Sequence, residues 1–143
     1  MKIIVYWITL TFLKYGLARL LVSTFQEVPL HLRNSWVNVT EQYHTQCVCE
    51  SGVNAFAAIN SLAITQLSND PHLKCYYKCL DINLLLLDPV TGSFVKSEFL
   101  RYAGITSEIF DKCSGQTESM KDLCAKSFYM YLCVVHSVIE PKQ

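Results

Sequence analysis

The chain has 143 residues, of which 51% are hydrophobic and 17% charged. That composition describes one folded domain and excludes an intrinsically disordered chain. Twelve basic residues balance twelve acidic ones and are scattered singly, so the basic patch that nucleic acid requires is missing.

The balance hides an asymmetry. Lys2, Lys14 and Arg19 lie in the first 22 residues, which hold no acid, and the remainder carries 9 basic against 12 acidic residues, a net charge of −3. Met1-Lys2 forms a short positive start, and Ile3 to Leu13 is an apolar run of eleven residues. Such a run suits a signal peptide and is too short to span a bilayer, which takes about 20 residues. Gly16, Ala18 and Ser23 offer small residues for cleavage. Residues 1–23 are therefore expected to be a signal peptide cut somewhere between 18 and 24, with no stable membrane insertion, and residues 24–143 the mature domain. Secretion implies an oxidising compartment, where cysteines are first read as disulfides. Asn38-Val39-Thr40 is then a formal glycosylation site.

The mature chain reads as six helices. Leu32, Trp36, Tyr43 and Cys47 share one helical face, on a helix from about Pro29 to Ser51-Gly52. Asn54 caps a second to about Leu62, with Phe56, Ile59 and Ala63 inward. Asp70 and Pro71 open a third that carries Cys75, Tyr76, Cys79 and Leu80 towards the run Leu84–Leu87. After a turn over 88–92, Ser93 or Lys96 opens a fourth holding Phe94, Phe99 and Tyr102, which Gly104 ends. Thr106 starts a fifth with Ile109, Phe110 and Cys113, followed by a loop at Ser114-Gly115-Gln116. Thr117 or Ser119 caps the sixth, whose apolar stripe is Cys124, Phe128, Tyr131, Leu132, Val135 and Val138. Glu140 to Gln143 forms a frayed tail. The domain is thus all-α.

Seven cysteines remain to be placed: Cys47, Cys49, Cys75, Cys79, Cys113, Cys124 and Cys133. Cys75 and Cys79 lie one turn apart on one helix, badly placed to bond each other and well placed to bond two different partners. Their spacing could also hold zinc, but the signal peptide and the lack of a C-x2-C pair weigh against it. Cys47 and Cys49 point about 200° apart on their helix, and only Cys47 shares the face of Trp36 and Tyr43. Spacing by itself leaves many pairings open.

From Cys47 the gaps are 27, 3, 33, 10 and 8 residues. With the segments CYYKCL and CAKSFYMYLC, and with Cys47-Val48-Cys49-Glu50-Ser51-Gly52-Val53 after the first cysteine, this resembles the six-cysteine pattern of the insect odorant-binding proteins, the pheromone- and general-odorant-binding family. The similarity runs from about residue 30 to 138. The gap from Cys79 to Cys113 is slightly short for the family, and the seventh cysteine departs from it. The resemblance implies a compact six-helix shell, stapled by Cys47–Cys79, Cys75–Cys124 and Cys113–Cys133, around an apolar cavity, with Cys49 unpaired. It implies a small hydrophobic ligand, odorant- or pheromone-like, no cofactor, and leaves open a membrane chemoreceptor as a second partner.

The residues themselves supply an apolar surplus. A shell held by disulfides need not fill its middle with side chains, and such cavities are apolar with a few polar groups. Phe56, Ile59, Leu84, Phe94, Phe99, Tyr102, Phe128, Leu132 and Val135 are the wall candidates, against the alternative that they fill an ordinary core. Enzyme chemistry finds little support. His31, His44, His72 and His136 fall on different elements without metal-binding spacing, and there is no G-x-S-x-G, glycine-rich phosphate loop or phospholipase-type calcium loop. The expected function is a secreted carrier of a small hydrophobic molecule and not an enzyme. The rival is a secreted helical protein that binds a protein partner and encloses no ligand. Val138 and Ile139 could lie at the cavity mouth as a fixed lid that a charged His136 loosens, against the alternative that His136 is simply a solvated residue.

Overall fold

The computed structural model describes residues 27–139. The expected signal peptide and the tail from Glu140 lie outside the described residues. Those described form six helices: α1 (Leu30–Ser51), α2 (Ala55–Ala63), α3 (Pro71–Asn83), α4 (Lys96–Phe99), α5 (Ser107–Thr117) and α6 (Leu123–Ile139). Among them the one strand-like pairing is an isolated antiparallel bridge between Leu87 and Phe94. No helix among the described residues is long and apolar enough to cross a membrane.

Local chemistry sets most of the boundaries. Gly52 ends α1 in a left-handed conformation (φ 71°), and its N–H donates to the Val48 carbonyl. Glycine adopts that geometry without the Cβ clash that other residues meet. The Asn54 side chain accepts from the Phe56 and Ala57 N–H groups, and Asp70 accepts from the His72 N–H, so both caps satisfy donors that a helix start leaves orphaned. Thr106 does the same for Ile109.

The structure corrects four expectations. The fourth helix is a single turn, because the chain folds away after Phe99 to bring the Ala103 carbonyl within 3.0 Å of the Trp36 indole N–H. Gly104 follows at φ 83°, so close to Leu32 that a Cβ would meet its Cδ1 at 2.9 Å. The predicted loop at Ser114–Gln116 is instead the last turn of α5, where the buried Thr117 hydroxyl donates back to the Cys113 carbonyl. Asp122 takes the place of Thr117 or Ser119 at the start of α6, accepting from the Cys124 N–H at 2.9 Å. Finally, α2 buries Ala58, Ser61 and Leu62, leaving Phe56 77% exposed and Ile59 and Ala63 half-buried. The segment AFAAINSLA is apolar nearly all round, so periodicity could not choose its face. Two small residues and a hydroxyl that meets Tyr77 choose it.

Helix α6 packs along α3 and α5, while α1 packs along α2 and α3. The disulfides follow these pairings. Cys47–Cys79 joins α1 to α3, Cys75–Cys124 joins α3 to the start of α6, and Cys113–Cys133 joins α5 to α6. These are the pairs the family resemblance implies, and Cys49 stands unpaired and exposed. Closing loops of 32, 49 and 20 residues, they contribute on the order of 3–4 kcal/mol each in the chain-entropy account.

The core divides into two clusters. One is built from Leu32, Trp36, Leu86, Phe99, Phe110, Met130 and Val134 with their neighbours. The other centres on Leu62, Leu73, Tyr76, Tyr77, Leu80 and Phe128.

Candidate functional site: an apolar cavity between two cores

Where the clusters meet, packing is incomplete and leaves a cavity of about 70 Å³. The first cluster lends it Trp36, Leu86, Phe99, Met130 and Val134, and the second lends Leu62, Tyr77 and Leu80. Half-buried Leu84, Tyr102, Ile105 and Tyr131 complete most of the wall. Side chains of α1, α2, α3 and α6 thus supply one part, and the largely irregular segment from Leu84 to Ile105 supplies the rest. That segment is pinned at a few points. The Val95 N–H donates to the Leu86 carbonyl at 2.9 Å beside the Leu87–Phe94 bridge. Lys126, itself buried, donates to the Gly92 carbonyl at 2.6 Å. The rings of Phe94, Phe99 and Phe110 meet in series, edge-on and then tilted, 5.4 and 5.3 Å between centroids.

Outside Val39, Leu84 and Tyr102 lies a surface groove of about 380 Å³ that shares these three residues with the cavity wall. They form the partition between cavity and solvent on that side. Glu98 and Arg101, paired at 2.9 Å, lie on the groove, as does Leu85.

The polar groups at the cavity are few and mostly satisfied. Tyr77 donates to the Ser61 hydroxyl at 2.8 Å, and Tyr131 donates to the Ser61 carbonyl at 3.1 Å. Their rings stack at 4.4 Å. Burial pushes both phenols well above the ordinary tyrosine range, so they stay neutral donors. Thr40 returns its hydroxyl to the Trp36 carbonyl of its own helix. Asp81 is different. It is 9% exposed, lines the cavity, and among the described residues has no ion-pair partner. The Ser127 hydroxyl neighbours it without closing a well-formed hydrogen bond. Burial pushes the Asp81 carboxyl up to about 7.

The sequence-derived wall candidates scatter. Leu84, Phe99 and Tyr102 line the cavity. Phe94 stands behind Phe99. Val135 is buried in the first cluster next to Val134, which does reach the wall. Phe128 is buried in the second cluster, edge-on to Tyr77 at 6.0 Å and away from the lining. Leu132 faces an outer groove shared with Lys112, Tyr129 and His136. Ile59 is half-buried away from the cavity, and Phe56 points to solvent. The expected lid is also displaced. Val138 and Ile139 pack against the first cluster, and exposed His136 sits on that outer groove.

Missed were Trp36, Tyr77, Asp81, Met130 and Val134 among others. A signal existed for Asp81: it stands four residues after Tyr77 and three before Leu84, on one helical face with both.

The sequence profile of the PBP/GOBP family matches residues 34–137, well over half of the chain. The chain belongs to the PBP/GOBP family. It has no significant match among curated proteins or among solved structures. The PBP/GOBP match opens in α1 and closes near the end of α6, so it contains all six bonded cysteines and the whole cavity wall. In this PBP/GOBP chain the disulfides brace a helical shell whose centre is not filled by side chains.

Proposed function

We propose that this protein is a secreted carrier that takes up a small hydrophobic molecule reversibly at the seam between its two cores. The observation that carries this reading is the apolar cavity of about 70 Å³ in a PBP/GOBP chain. Burial of the cargo's apolar surface would drive uptake at about 25 cal/mol per Å², less the freedom lost on immobilisation. Odorant- or pheromone-like cargo fits the family.

A cavity of roughly 150 Å³ is known to take benzene, and the one here is about half that size. Larger cargo therefore requires part of the wall to move outward. The segment Leu84–Ile105 is the part able to do so, since no disulfide ends within it. Residues 1–23 serve as the export signal in this reading, cut between 18 and 24, which N-terminal sequencing of the secreted protein checks.

The deciding experiment is displacement of the neutral fluorophore N-phenyl-1-naphthylamine by alcohols, aldehydes and esters of graded length. Saturable one-to-one binding, unaffected by chelators, is expected. No saturable binding would overturn the carrier reading and leave the secreted interaction protein in its place.

A further inference from the structure

Resting on the carrier reading, one wall residue goes further and speaks to the cargo's chemistry. A buried carboxyl is stabilised by a cation or by hydrogen bonds, and one without either is costly to keep. Among the described side chains Asp81 has no cation beside it, and its neighbouring hydroxyl, Ser127, closes no well-formed hydrogen bond with it, yet it is nine-tenths buried and lines an otherwise apolar space. Its backbone carbonyl is used, accepting from the Leu86 and Leu87 N–H groups at 2.7 and 3.1 Å, so the residue is anchored while its side chain is left over. A hydroxyl or amide would hold a neutral ligand head at less expense. What a carboxylate adds is a negative charge, and the rings of Trp36, Tyr77, Phe99, Tyr102 and Tyr131 line the same cavity. Aromatic faces attract cations and a carboxylate pairs with them.

We propose that Asp81 is the polar anchor of the cavity and selects apolar cargo that carries a single protonated amine. The amine's N–H groups donate to the carboxylate, the aromatic wall surrounds the alkyl or ring portion, and the buried charge gains its counter-ion on binding.

The carboxyl must be ionised for this, and its surroundings allow that near neutrality and above. The other ionisable groups that face it are Tyr77 on α3, Tyr131 on α6 and Tyr102 after α4, all held neutral by raised pKa values. Tyr43 on α1, with Glu98 and Arg101 on and after α4, lies on the groove beyond Tyr102. Lys126, next to Ser127 on α6, is spent on the Gly92 carbonyl.

The test measures displacement of N-phenyl-1-naphthylamine by hexan-1-amine, hexan-1-ol and hexanoic acid, on the full mature chain and on Asp81→Asn. In wild type at pH 8 the amine should bind at least tenfold more tightly than the alcohol, with the acid weakest. In Asp81→Asn the amine's advantage over the alcohol should vanish. If Asp81→Asn does not fold, the wild-type pH profile decides: the amine's advantage should fall steadily from pH 8 to pH 5.5, with alcohol affinity constant. An amine that binds no better than the alcohol, or an advantage that survives in Asp81→Asn or is flat with pH, overturns the anchor and leaves the carrier reading standing. Failure of the fluorophore itself to bind overturns both.

Discussion

Two cores of similar size meet at the cavity, and they are held by different means. The one around Tyr76 and Tyr77 has the Cys47–Cys79 bond within it and the Cys75–Cys124 bond at its edge. It also has directional bonds: Tyr77 and Tyr131 both reach Ser61 on α2, and the Tyr76 hydroxyl pairs with His44 at 2.9 Å. The one around Phe99 and Phe110 has the single bond Cys113–Cys133, and its outer wall is a largely irregular segment joined by edge-on and tilted aromatic contacts, a few backbone contacts and two side-chain bonds, Trp36 to Ala103 and Lys126 to Gly92. Directional bonds and cross-links fix a geometry, whereas apolar side chains in contact can slide at little cost in free energy, and the phenylalanine side has fewer of the former. Under the carrier reading, the tyrosine side is the frame, and the phenylalanine side is where cargo would enter and the wall yield.

The sharpest way to test that division is to remove one phenyl ring from each side. Phe128 and Phe99 are both 4% exposed, but only Phe99 lines the cavity. Phe128→Ala should lower stability by roughly 3–5 kcal/mol, the usual range for a buried ring, and leave the order of ligand preference unchanged. Phe99→Ala should lose less, because its neighbours can close in, and should shift preference towards bulkier ligands. Denaturant melts beside the displacement series give both readouts. A changed ranking in Phe128→Ala would place the cavity's reach deeper in the frame than the wall residues indicate.

Next come the staples. By loop length, losing Cys75–Cys124 should cost about 4 kcal/mol and losing Cys113–Cys133 about 3 kcal/mol. Cys75→Ser and Cys124→Ser should each show nearly the full loss and the double variant little more, since each removes the same bond. Denatured, unreduced protein should present one titratable thiol, on Cys49.

Asp81 sits on the boundary and gives a smaller, pH-dependent effect. Its carboxyl is raised from 3.8 to about 7, so between these values the folded state holds a proton that the unfolded state releases. Stability is therefore fully present below about pH 4 and falls as pH rises through 7, by a few kcal/mol. Asp81→Asn should flatten that part of the profile. The variant should match wild type near pH 4 and melt at higher temperature near pH 8. A profile that rises with pH in this window and flattens in the variant would mean that Asp81 is paired in the folded protein.

The frame was far more legible than the cavity, for a physical reason. Caps such as Asn54 and Asp70 act through their nearest neighbours, and the cysteine spacing with its family resemblance implied all three bonds. The cavity lies where two clusters fail to interlock, a property of how helices sit against each other. On α6, Phe128, Tyr131, Leu132 and Val135 read as the inward stripe, yet of these only Tyr131 meets the cavity, beside Met130 and Val134. That helix is apolar on several faces, and its rotation is decided by two neighbours at once, α3 and α5. Asp81 was overlooked because an acid near the end of a helix usually faces water.

The smallest effect tests whether strain tracks the entrance. Among the described residues, two other than glycine adopt left-handed backbone, Leu85 at φ 61° and Thr65 at φ 52°. Leu85 follows α3 at the groove and is 68% exposed, whereas Thr65 follows α2 and lines neither the cavity nor that groove. A side chain in this region costs on the order of 1 kcal/mol relative to glycine. Glycine's greater freedom in the unfolded chain offsets part of that. Both Leu85→Gly and Thr65→Gly should therefore stabilise by about 0.5 kcal/mol. Strained residues tend to collect where function requires them, and an exposed leucine at the groove supplies apolar surface to arriving cargo. Leu85→Gly should then slow association of the fluorophore two- to threefold in stopped flow, and Thr65→Gly should leave it unchanged. Equal association rates in both variants would reduce Leu85 to an ordinary helix stop and move the entrance elsewhere on the wall.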